Sequence, residues 1–388
     1  MQVAIAAAGF TPGEADLLRK AMGHKRSRER MAEICQKMIR GMEANGIAPD
    51  LAQRIYQQIN AFADYGFPES HAASFALIVY SSAYLRHYYA PEFLCAILNA
   101  QPMGFYAPGT LIEDAKRHGV KVLPVDVTRS AWDHTLEPLP GRKAPPAVRL
   151  GVRSVLGLGA NARAKIETAL TTGAPSFTSI SDFVTRTKLD RRALRALAES
   201  GALDAFVQDE PAARRRRVAL WRVLEAERAP AGPLALFPES RVPPHLPAFA
   251  APELTEADYR LTGLSLNGHP MRHLRALLAP NGVRSARELH TMKDGEAVAH
   301  AGLVICRQRP GTAKGFVFLT LEDETGTINV VVTPQRFERQ ALLISRTPLL
   351  LVRGVLQVES GVWNIRAKSF APLKAGAGED AVKGHNYR

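Results

Sequence analysis

The apolar positions of the chain follow a helical period up to about residue 278 and an alternating period after residue 297. In the first part they recur every three or four residues, as at Ala15, Leu18 and Met22. In the second part they alternate with polar residues in five short runs. The first spacing places apolar side chains on one face of a helix, and alternation places them on one face of a strand. We therefore predict an α+β protein of several domains, with most of its helices first and its strands last.

Capping residues and prolines set the helix boundaries within residues 1–137. Thr11 and Glu14 stand three residues apart around Pro12, which is a capping box with proline in the first turn. Further helices are predicted over residues 28–43, 49–62, 70–88 and 91–99. The helix over 70–88 is almost wholly apolar on two faces, so we predict that it is buried.

A glycine-rich turn, Gly157-Leu158-Gly159, stands in the middle of the chain and leads into a helical pattern. Glycine adopts positive φ at little cost, so the turn can aim backbone N–H groups outward at the start of a helix. A helix-hairpin-helix turn of this kind binds a DNA phosphate without choosing a sequence. The basic residues around it are Arg153, Arg163 and Lys165. The alternative is a turn that only packs two helices, and the pattern leaves both open.

A second unit of the same kind follows, without the two glycines. Residues 180–187 and 191–199 have helical patterns, and Lys188-Leu189-Asp190 forms the turn between them. A basic helix over 210–228 ends the segment. Two such units can hold one strand, or both strands of a duplex, at separated points. We therefore predict a tandem helix-hairpin-helix DNA-binding domain over residues 147–228.

The last third of the chain has the element order of an OB-fold. The predicted strands cover 297–306, 316–321, 327–332, 349–358 and 362–370, with a helix over 334–343. Five strands with a helix after the third predict this barrel over residues 295–373, and such barrels commonly hold single-stranded nucleic acid. The groups expected to line its groove are Arg307, Arg309, Lys314 and Phe316. The pattern leaves open whether the nearby Phe318 stacks on a base or joins the core.

The remaining segments connect these modules. Residues 229–253 are rich in proline and form a linker, 254–294 a short helical connector and 374–388 a flexible tail. Within the linker, Leu234, Leu236 and Phe237 match the Gln-Leu-x-Leu-Phe pattern of peptides that bind the bacterial sliding clamp, with Pro233 in place of the glutamine. The alternative is a segment that packs on its own domain.

Composition narrows the class of partner. The formal net charge of +13 favours a polyanion, usually nucleic acid. The three cysteines form no CxxC pair, which suits a reducing cytoplasm without disulfides. Turn chemistry explains the acidic segment 322–326, so we predict no metal site. No apolar run reaches membrane-spanning length and no signal peptide is recognised, so we predict a cytoplasmic protein without a membrane partner.

Four segments carry a resemblance to a known family: Tyr65–Ala73, Pro91–Phe93, Asn99–Tyr106 and Arg307–Gly315. They resemble the bacterial DNA polymerase III alpha subunits, the C-family polymerases, and within them the error-prone branch used in damage-induced mutagenesis. The resemblance covers nearly all of residues 1–373. It implies that residues 1–137 are the C-terminal part of the polymerase fingers and their connection. It also implies that Ser70 and His71 lie near the incoming nucleotide.

The same resemblance shapes the expected function. Nothing in the chain resembles an Asp-x-Asp motif of a polymerase palm, so we expect the C-terminal DNA-binding portion of a translesion DNA polymerase, inactive by itself. The complete nucleotidyltransferase would use Mg²⁺ and deoxynucleoside triphosphates, and its partners would include DNA, the sliding clamp and other mutagenesis proteins. The alternative is a stand-alone DNA-binding adaptor or clamp-associated protein without polymerase activity. The residues do not distinguish a fragment from a split gene product.

Overall fold

The computed structural model describes residues 2–22, 28–63, 69–104, 106–141, 144–172, 176–228, 245–373 and 385–387. The chain divides into two compact units, Met1–Tyr88 and Tyr89–Arg388. The predicted first domain, residues 1–137, therefore extends across the division between them. In the described ranges, no helix combines the length and the apolar character that crossing a membrane requires.

The first unit is helical throughout its described residues. Its helices are α1 (Gln2–Ala8), α2 (Pro12–Met22), α3 (Arg28–Ala44), α4 (Pro49–Ala63) and α5 (Glu69–Tyr88). The predicted capping box is present before α2, where the backbone N–H of Thr11 donates to Glu14 Oε2 at 2.8 Å. Leu18, Met38 and Met42 are fully buried between α2 and α3 and form the centre of a small core.

The prediction that the helix after residue 69 is buried is wrong. Large apolar side chains of α5 are open to solvent, and Tyr80 and Leu77 are 70% and 68% exposed. Apolar residues on two faces of a helix indicate that it needs neighbours, but they do not identify which residues provide them. The described residues leave these side chains uncovered.

The second unit begins with a helical half around a small sheet. Its helices are α6 (Ala90–Asn99), α7 (Pro108–Arg117), α8 (Ala160–Thr172), α9 (Ile180–Thr187), α10 (Arg191–Glu199) and α11 (Ala212–Arg228). Its strands are β1 (Val122–Leu123), β2 (Thr135–Glu137) and β3 (Ala147–Arg149), in the order β1-β3-β2. One continuous core runs beneath α8 to α11, and its most buried residues include Phe183, Leu194 and Leu197. This core fixes the two hairpin units against each other.

A connector leads from the helical half to the barrel. It contains α12 (Ala251–Thr262), α13 (Pro270–Leu278), β4 (Val283–Arg284) and α14 (Ala286–Leu289). The barrel consists of β5 (Ala297–Gln308), β6 (Val317–Glu322), β7 (Thr327–Val332), α15 (Pro334–Arg346), β8 (Leu349–Glu359) and β9 (Val362–Pro372). A last short strand, β10 (His385–Tyr387), adds to β5 in parallel, as β4 does.

The predicted OB-fold is confirmed. The strands are neighbours in the order β5-β6-β7-β9-β8, and β8 pairs back with β5, which closes the barrel. Only β7 and β9 run parallel among these barrel pairs. The alternating apolar residues of each strand point inward and bury Leu319, Val330 and Ile365.

Buried charges join the barrel to the helices before it. Arg117 of α7 donates to Glu322 of β6 at 2.9 Å. Arg275 of α13 contacts Asp323 at 2.9 Å and Glu324 at 2.6 Å. The Glu322 side chain is 3% exposed, and burial raises its pKa to about 7 against the opposing effect of Arg117. The junction therefore contains a carboxyl group that binds a proton more readily than an ordinary glutamate.

Replacing Glu322 by Gln should change how the stability of the second unit depends on pH. Since the folded-state pKa lies above the usual value of 4.5, the favourable contribution of the protonated carboxyl is complete at low pH and is lost as the pH rises through about 7. The unfolding temperature of the wild type should therefore fall relative to that of Glu322→Gln between about pH 5 and 8. Tryptophan fluorescence measures the unfolding temperature of the second unit, because Trp132, Trp221 and Trp363 all lie in it.

The matched control is Glu338→Gln, at an exposed position of α15. It should follow the wild type at every pH, since its carboxylate is not buried. All three proteins are measured in one buffer series, so that the contributions of other titrating groups to the unfolding temperature cancel in the comparison. Parallel curves for the wild type and Glu322→Gln would contradict a raised pKa at Glu322.

Candidate nucleic-acid interface

The glycine-rich turn lies directly before α8. A single 3-10 turn, Val152–Ser154, precedes it where a full helix would ordinarily stand. Gly157 has a φ of 91°, in the left-handed region that favours glycine. A Cβ atom at Gly159 would meet nothing within 4 Å. Gly157 therefore makes the turn, and Gly159 leaves the approach to the N-terminus of α8 open, while Leu158 packs half-buried on the core.

The start of α8 can receive an anion. The first turn of an α-helix has backbone N–H groups without partners inside the helix, and the helix dipole favours negative charge there. Arg163 lies one turn on and pairs with Glu167 at 2.8 Å, with both side chains about half exposed. Such a surface pair is worth only about 0–1 kcal/mol. The Arg163 guanidinium can therefore exchange Glu167 for a phosphate at little cost.

Lys165 joins α8, the helix after the first turn, to the second turn. Its Nζ donates to the backbone carbonyl of Lys188 at 2.7 Å. Lys188 itself ends α9 in the left-handed conformation, with a φ of 47°. Asp190 then caps α10 by accepting from the N–H of Ala193 at 2.8 Å. The second turn thus uses Lys188 for the left-handed residue where the first uses Gly157.

Arg153 does not present its charge as the sequence suggested. Its guanidinium donates to Asp133 Oδ1 at 2.8 Å and to the carbonyls of Gln101 at 3.0 Å and Asn99 at 3.2 Å. These bonds hold the segment after α6 against the strand-rich region before the turn. Arg153 is therefore corrected from a DNA-binding group to a structural one.

Arg307 is corrected in the same way. It is 8% exposed, and its guanidinium donates to the carbonyls of Ile344 at 2.9 Å and Thr347 at 2.6 Å. These carbonyls belong to the end of α15 and the connection to β8. Alternation along β5 predicts its face only if the strand is regular, but β5 has a bulge between Val304 and Cys306. The bulge accompanies the inward position of Arg307.

One outer face of the barrel combines an aromatic ring with a positive charge. Phe318 of β6 pairs with Val331 of β7, and Val331 pairs with Arg366 of β9, so the three form one row across the sheet. Phe318 is 37% exposed, which settles its position on the outside. Phe316 is 36% exposed just before β6. The row provides a stacking surface next to a cation. Sites that bind single-stranded nucleic acid combine these two features.

The loop before β6 contains the other predicted basic groups. Arg309 lies 4.9 Å from the centre of the Phe337 ring, and Lys314 is exposed with a φ of 48°. Arg366 was missed by the sequence reasoning, because its place beside Val331 depends on the parallel pairing of β9 with β7. Its exposed position within the alternation of β9 was the one available signal.

One predicted site is described in part, and another is not described. His71 is exposed on α5, with its ring 4.6 Å from that of Phe75, while the side chain of Ser70 lies outside the described residues. The whole segment predicted to bind the sliding clamp, with Leu234, Leu236 and Phe237, lies outside the described residues. Among the residues that are described, no three His, Cys, Asp or Glu side chains are placed to hold a metal ion.

Family models match three parts of the chain. The helix-hairpin-helix motif matches residues 119–215. The finger domain of the bacterial DNA polymerase III alpha subunit matches residues 1–46. An OB-fold nucleic acid binding domain matches residues 300–373. These matches confirm both predicted nucleic-acid modules and agree with the resemblance carried by the first part of the chain.

Curated relatives match almost the whole chain. A protein named error-prone DNA polymerase from Anaeromyxobacter sp. (strain K) is 48% identical over 381 residues, which is 96% of this chain and 33% of the relative. One of the same name from Burkholderia pseudomallei (strain K96243) is 44% identical over 99% of this chain and 36% of its own length. The chain thus spans about a third of the length of these relatives.

Among solved structures, asparaginyl-tRNA synthetase from Pyrococcus horikoshii is 21% identical to this chain. The match covers 23% of this chain and 22% of that chain, with a TM-score of 0.21. This likeness is too weak to support any argument.

The two glycines of the turn should respond differently to substitution. Gly157→Ala should lower the free energy of unfolding by about 1–2 kcal/mol, because a Cβ is strained in the left-handed region. Gly159→Ala should change it by less than about 0.5 kcal/mol, because the added atom meets only open space. Denaturant unfolding followed by tryptophan fluorescence compares the two. Equal losses at both positions would show that the turn has a different conformation.

Proposed function

Because the chain belongs to the bacterial DNA polymerase III alpha-subunit family and is related over nearly its whole length to error-prone members, we propose that it is the C-terminal, DNA-holding portion of an error-prone DNA polymerase. It binds the newly made duplex and the single-stranded template. Nucleotidyl transfer takes place in a palm outside this chain, which holds Mg²⁺ and the deoxynucleoside triphosphate. Synthesis past damaged bases is the task of the complete enzyme.

The proposal depends on one observation: the two hairpin turns and the barrel face belong to the same compact unit, Tyr89–Arg388. Hairpin turns contact the phosphate backbone, which positions DNA without reading its sequence. Barrel faces with exposed aromatic rings hold single strands by stacking. A polymerase meets both kinds of DNA at a primer–template junction, and it must accept every sequence.

The contribution of each hairpin residue to DNA binding follows from its position. Backbone N–H groups at the start of α8 receive a phosphate oxygen across the open side at Gly159. Arg163 adds a charge-assisted bond by leaving Glu167. Lys165 keeps the first and second turns at a fixed separation through the carbonyl of Lys188. Two phosphates of a duplex can then be held at once, because neither turn has to move.

On the barrel, Phe318 and Phe316 provide stacking faces for template bases. Arg366, Arg309 and Lys314 neutralise the phosphates between these bases. This arrangement accepts any base, because every base has a face on which an aromatic ring can stack.

Three further assignments belong to the same proposal. Ser70 and His71 lie near the incoming nucleotide in the complete enzyme. The segment Leu234-Ala235-Leu236-Phe237 binds the sliding clamp weakly, because Pro233 removes the amide that the complete motif would supply. Other mutagenesis proteins join the complex in the cytoplasm.

Binding of duplex DNA by the chain should be independent of sequence and strongly dependent on salt. Each phosphate contact should contribute about −0.9 to the slope of log affinity against log salt. Gly159→Val should weaken binding roughly tenfold on any sequence, because its side chain blocks the approach to the N–H groups of α8. Fluorescence anisotropy with two unrelated duplexes, between about 50 and 200 mM salt, provides the measurement.

The matched variant for this measurement is Glu167→Gln, which removes the acidic partner of Arg163 and should leave binding equal or tighter. A preference for one duplex, or affinity that salt does not change, would contradict the proposed backbone contacts. Unchanged affinity of Gly159→Val would show that this turn only packs two helices.

Binding of single-stranded DNA should depend on the exposed phenylalanines of the barrel. Phe318→Ala and Phe316→Ala should each weaken binding by about 1–3 kcal/mol, the contribution of one stacked base. Leu342→Ala is the matched control, since Leu342 is a 68% exposed apolar residue of α15. It should bind like the wild type in anisotropy measurements with a labelled oligonucleotide. If both phenylalanine variants also bind like the wild type, the strand does not use this face.

A further inference from the structure

A cleft rich in arginine lies beside the first hairpin turn. It has a volume of about 580 Å³ and is lined by the turn, by one face of α10 and by the end of α12. Its charged lining residues are Arg191, Arg192, Arg195, Arg260 and Glu199. We call this the arginine cleft. None of these side chains was predicted from the sequence to belong to a site.

The positive charge of the cleft is only partly balanced. Arg260 pairs with Glu199 at 2.7 Å, and Arg191 lies 3.6 Å from Glu227. Arg192 and Arg195 are exposed and have no acidic group within 4 Å among the described residues. Guanidinium groups that converge without a counter-ion repel each other, so an anion in the cleft would relieve this repulsion.

The walls of the cleft are held by buried contacts. The opposite face of α10 packs Leu194 and Leu197 into the core, which turns its arginines outward. The N–H of Leu156 in the turn donates to the carbonyl of Leu261 in α12 at 2.7 Å. Since Arg260 precedes Leu261, this bond fixes its position beside the turn. A Cβ at Gly157 would lie 3.9 Å from Nε of Arg192, so the turn and α10 are also close.

Guanidinium groups suit one class of anion in particular. Their planar N–H donors match the oxygens of a phosphate, often through two parallel hydrogen bonds. The cleft is open to solvent and adjoins a turn of a type that binds DNA backbone. A strand that passes the turn would therefore meet the arginines with its next phosphates.

We propose that the arginine cleft holds consecutive phosphates of a DNA backbone, with Arg192 and Arg195 from α10 on one wall and Arg260 from α12 on the other. The inference rests on the proposed DNA-holding function and adds to it. It makes the connector before the barrel part of the duplex site, although the helix-hairpin-helix match ends at residue 215.

The test measures duplex affinity and its salt dependence for the full chain. The double variant Arg192→Ala, Arg195→Ala should bind at least roughly tenfold more weakly on every sequence. The magnitude of its salt slope should fall by about 2, one for each lost phosphate contact. The double variant Arg192→Lys, Arg195→Lys keeps both charges and should keep most of the slope. Arg287→Ala removes an exposed arginine of α14 and should behave like the wild type.

A second variant tests the connector wall. Arg260→Lys keeps a cation near Glu199 but loses the planar donors, so it should bind duplex several-fold more weakly than the wild type. Its unfolding temperature is measured beside the affinity, because an effect through folding would lower both. Weaker binding with an unchanged unfolding temperature supports a direct contact. Affinity equal to that of the wild type would remove Arg260 from the site.

The outcomes separate this inference from the proposed function. Equal affinity of the wild type and the double alanine variant for duplex DNA would contradict phosphate binding in the arginine cleft and leave the proposed function standing. Weaker binding with an unchanged salt slope would also contradict phosphate binding in the cleft, because it would indicate an indirect effect. Absence of duplex binding by the wild type would contradict the proposed function as well. Saturable binding of a free deoxynucleoside triphosphate that the double variant loses would assign the cleft to a nucleotide and not to DNA backbone.

Discussion

The buried ion pair between Arg216 and Asp258 fixes the connector on which the rest of the second unit depends. The two side chains meet at 2.7 Å and are 8% and 7% exposed. Asp258 also accepts hydrogen bonds from Ser265 at 2.6 Å and Asn267 at 3.0 Å, so its charge is well satisfied. Loss of one partner from a buried pair typically costs about 3–5 kcal/mol, because the other charge stays buried without compensation. The pair therefore holds α12 firmly against α11.

Consecutive residues of α12 then face different neighbours. Tyr259 is buried in the cluster that joins the connector to the barrel, and Leu261 is buried in the core beneath the hairpins. Arg260 between them points into the arginine cleft. At the other end of the connector, Arg275 of α13 binds Asp323, and Arg117 of α7 binds Glu322 of β6 beside it. Charged contacts at both ends thus place the hairpins and the barrel in one unit. The attraction between the paired charges and their hydrogen bonds offset the cost of removing these charges from water.

Much of this architecture could be predicted from local sequence. The capping box at Thr11, the glycine turn at Gly157 and the alternating strands of the barrel all appear where the sequence pattern indicates them, because capping, positive φ and strand alternation depend on residues only a few positions apart. The site was predicted less completely. Arg163 and Phe316 are exposed as expected, but Arg153 and Arg307 turn inward to carbonyl groups that lie 37 or more positions away in the chain.

The order of residues alone was enough to establish which segments are helices and strands, which faces are apolar, and that two types of nucleic-acid module follow each other. Tertiary packing decides instead which arginines remain exposed and available to an anion. That packing placed Arg260 beside α10, set Arg366 in a row with Phe318, and left α5 exposed although its composition predicted burial. The physical reason is that a side chain's face is fixed by local backbone geometry, whereas its partner is fixed by the packing of elements far apart in sequence.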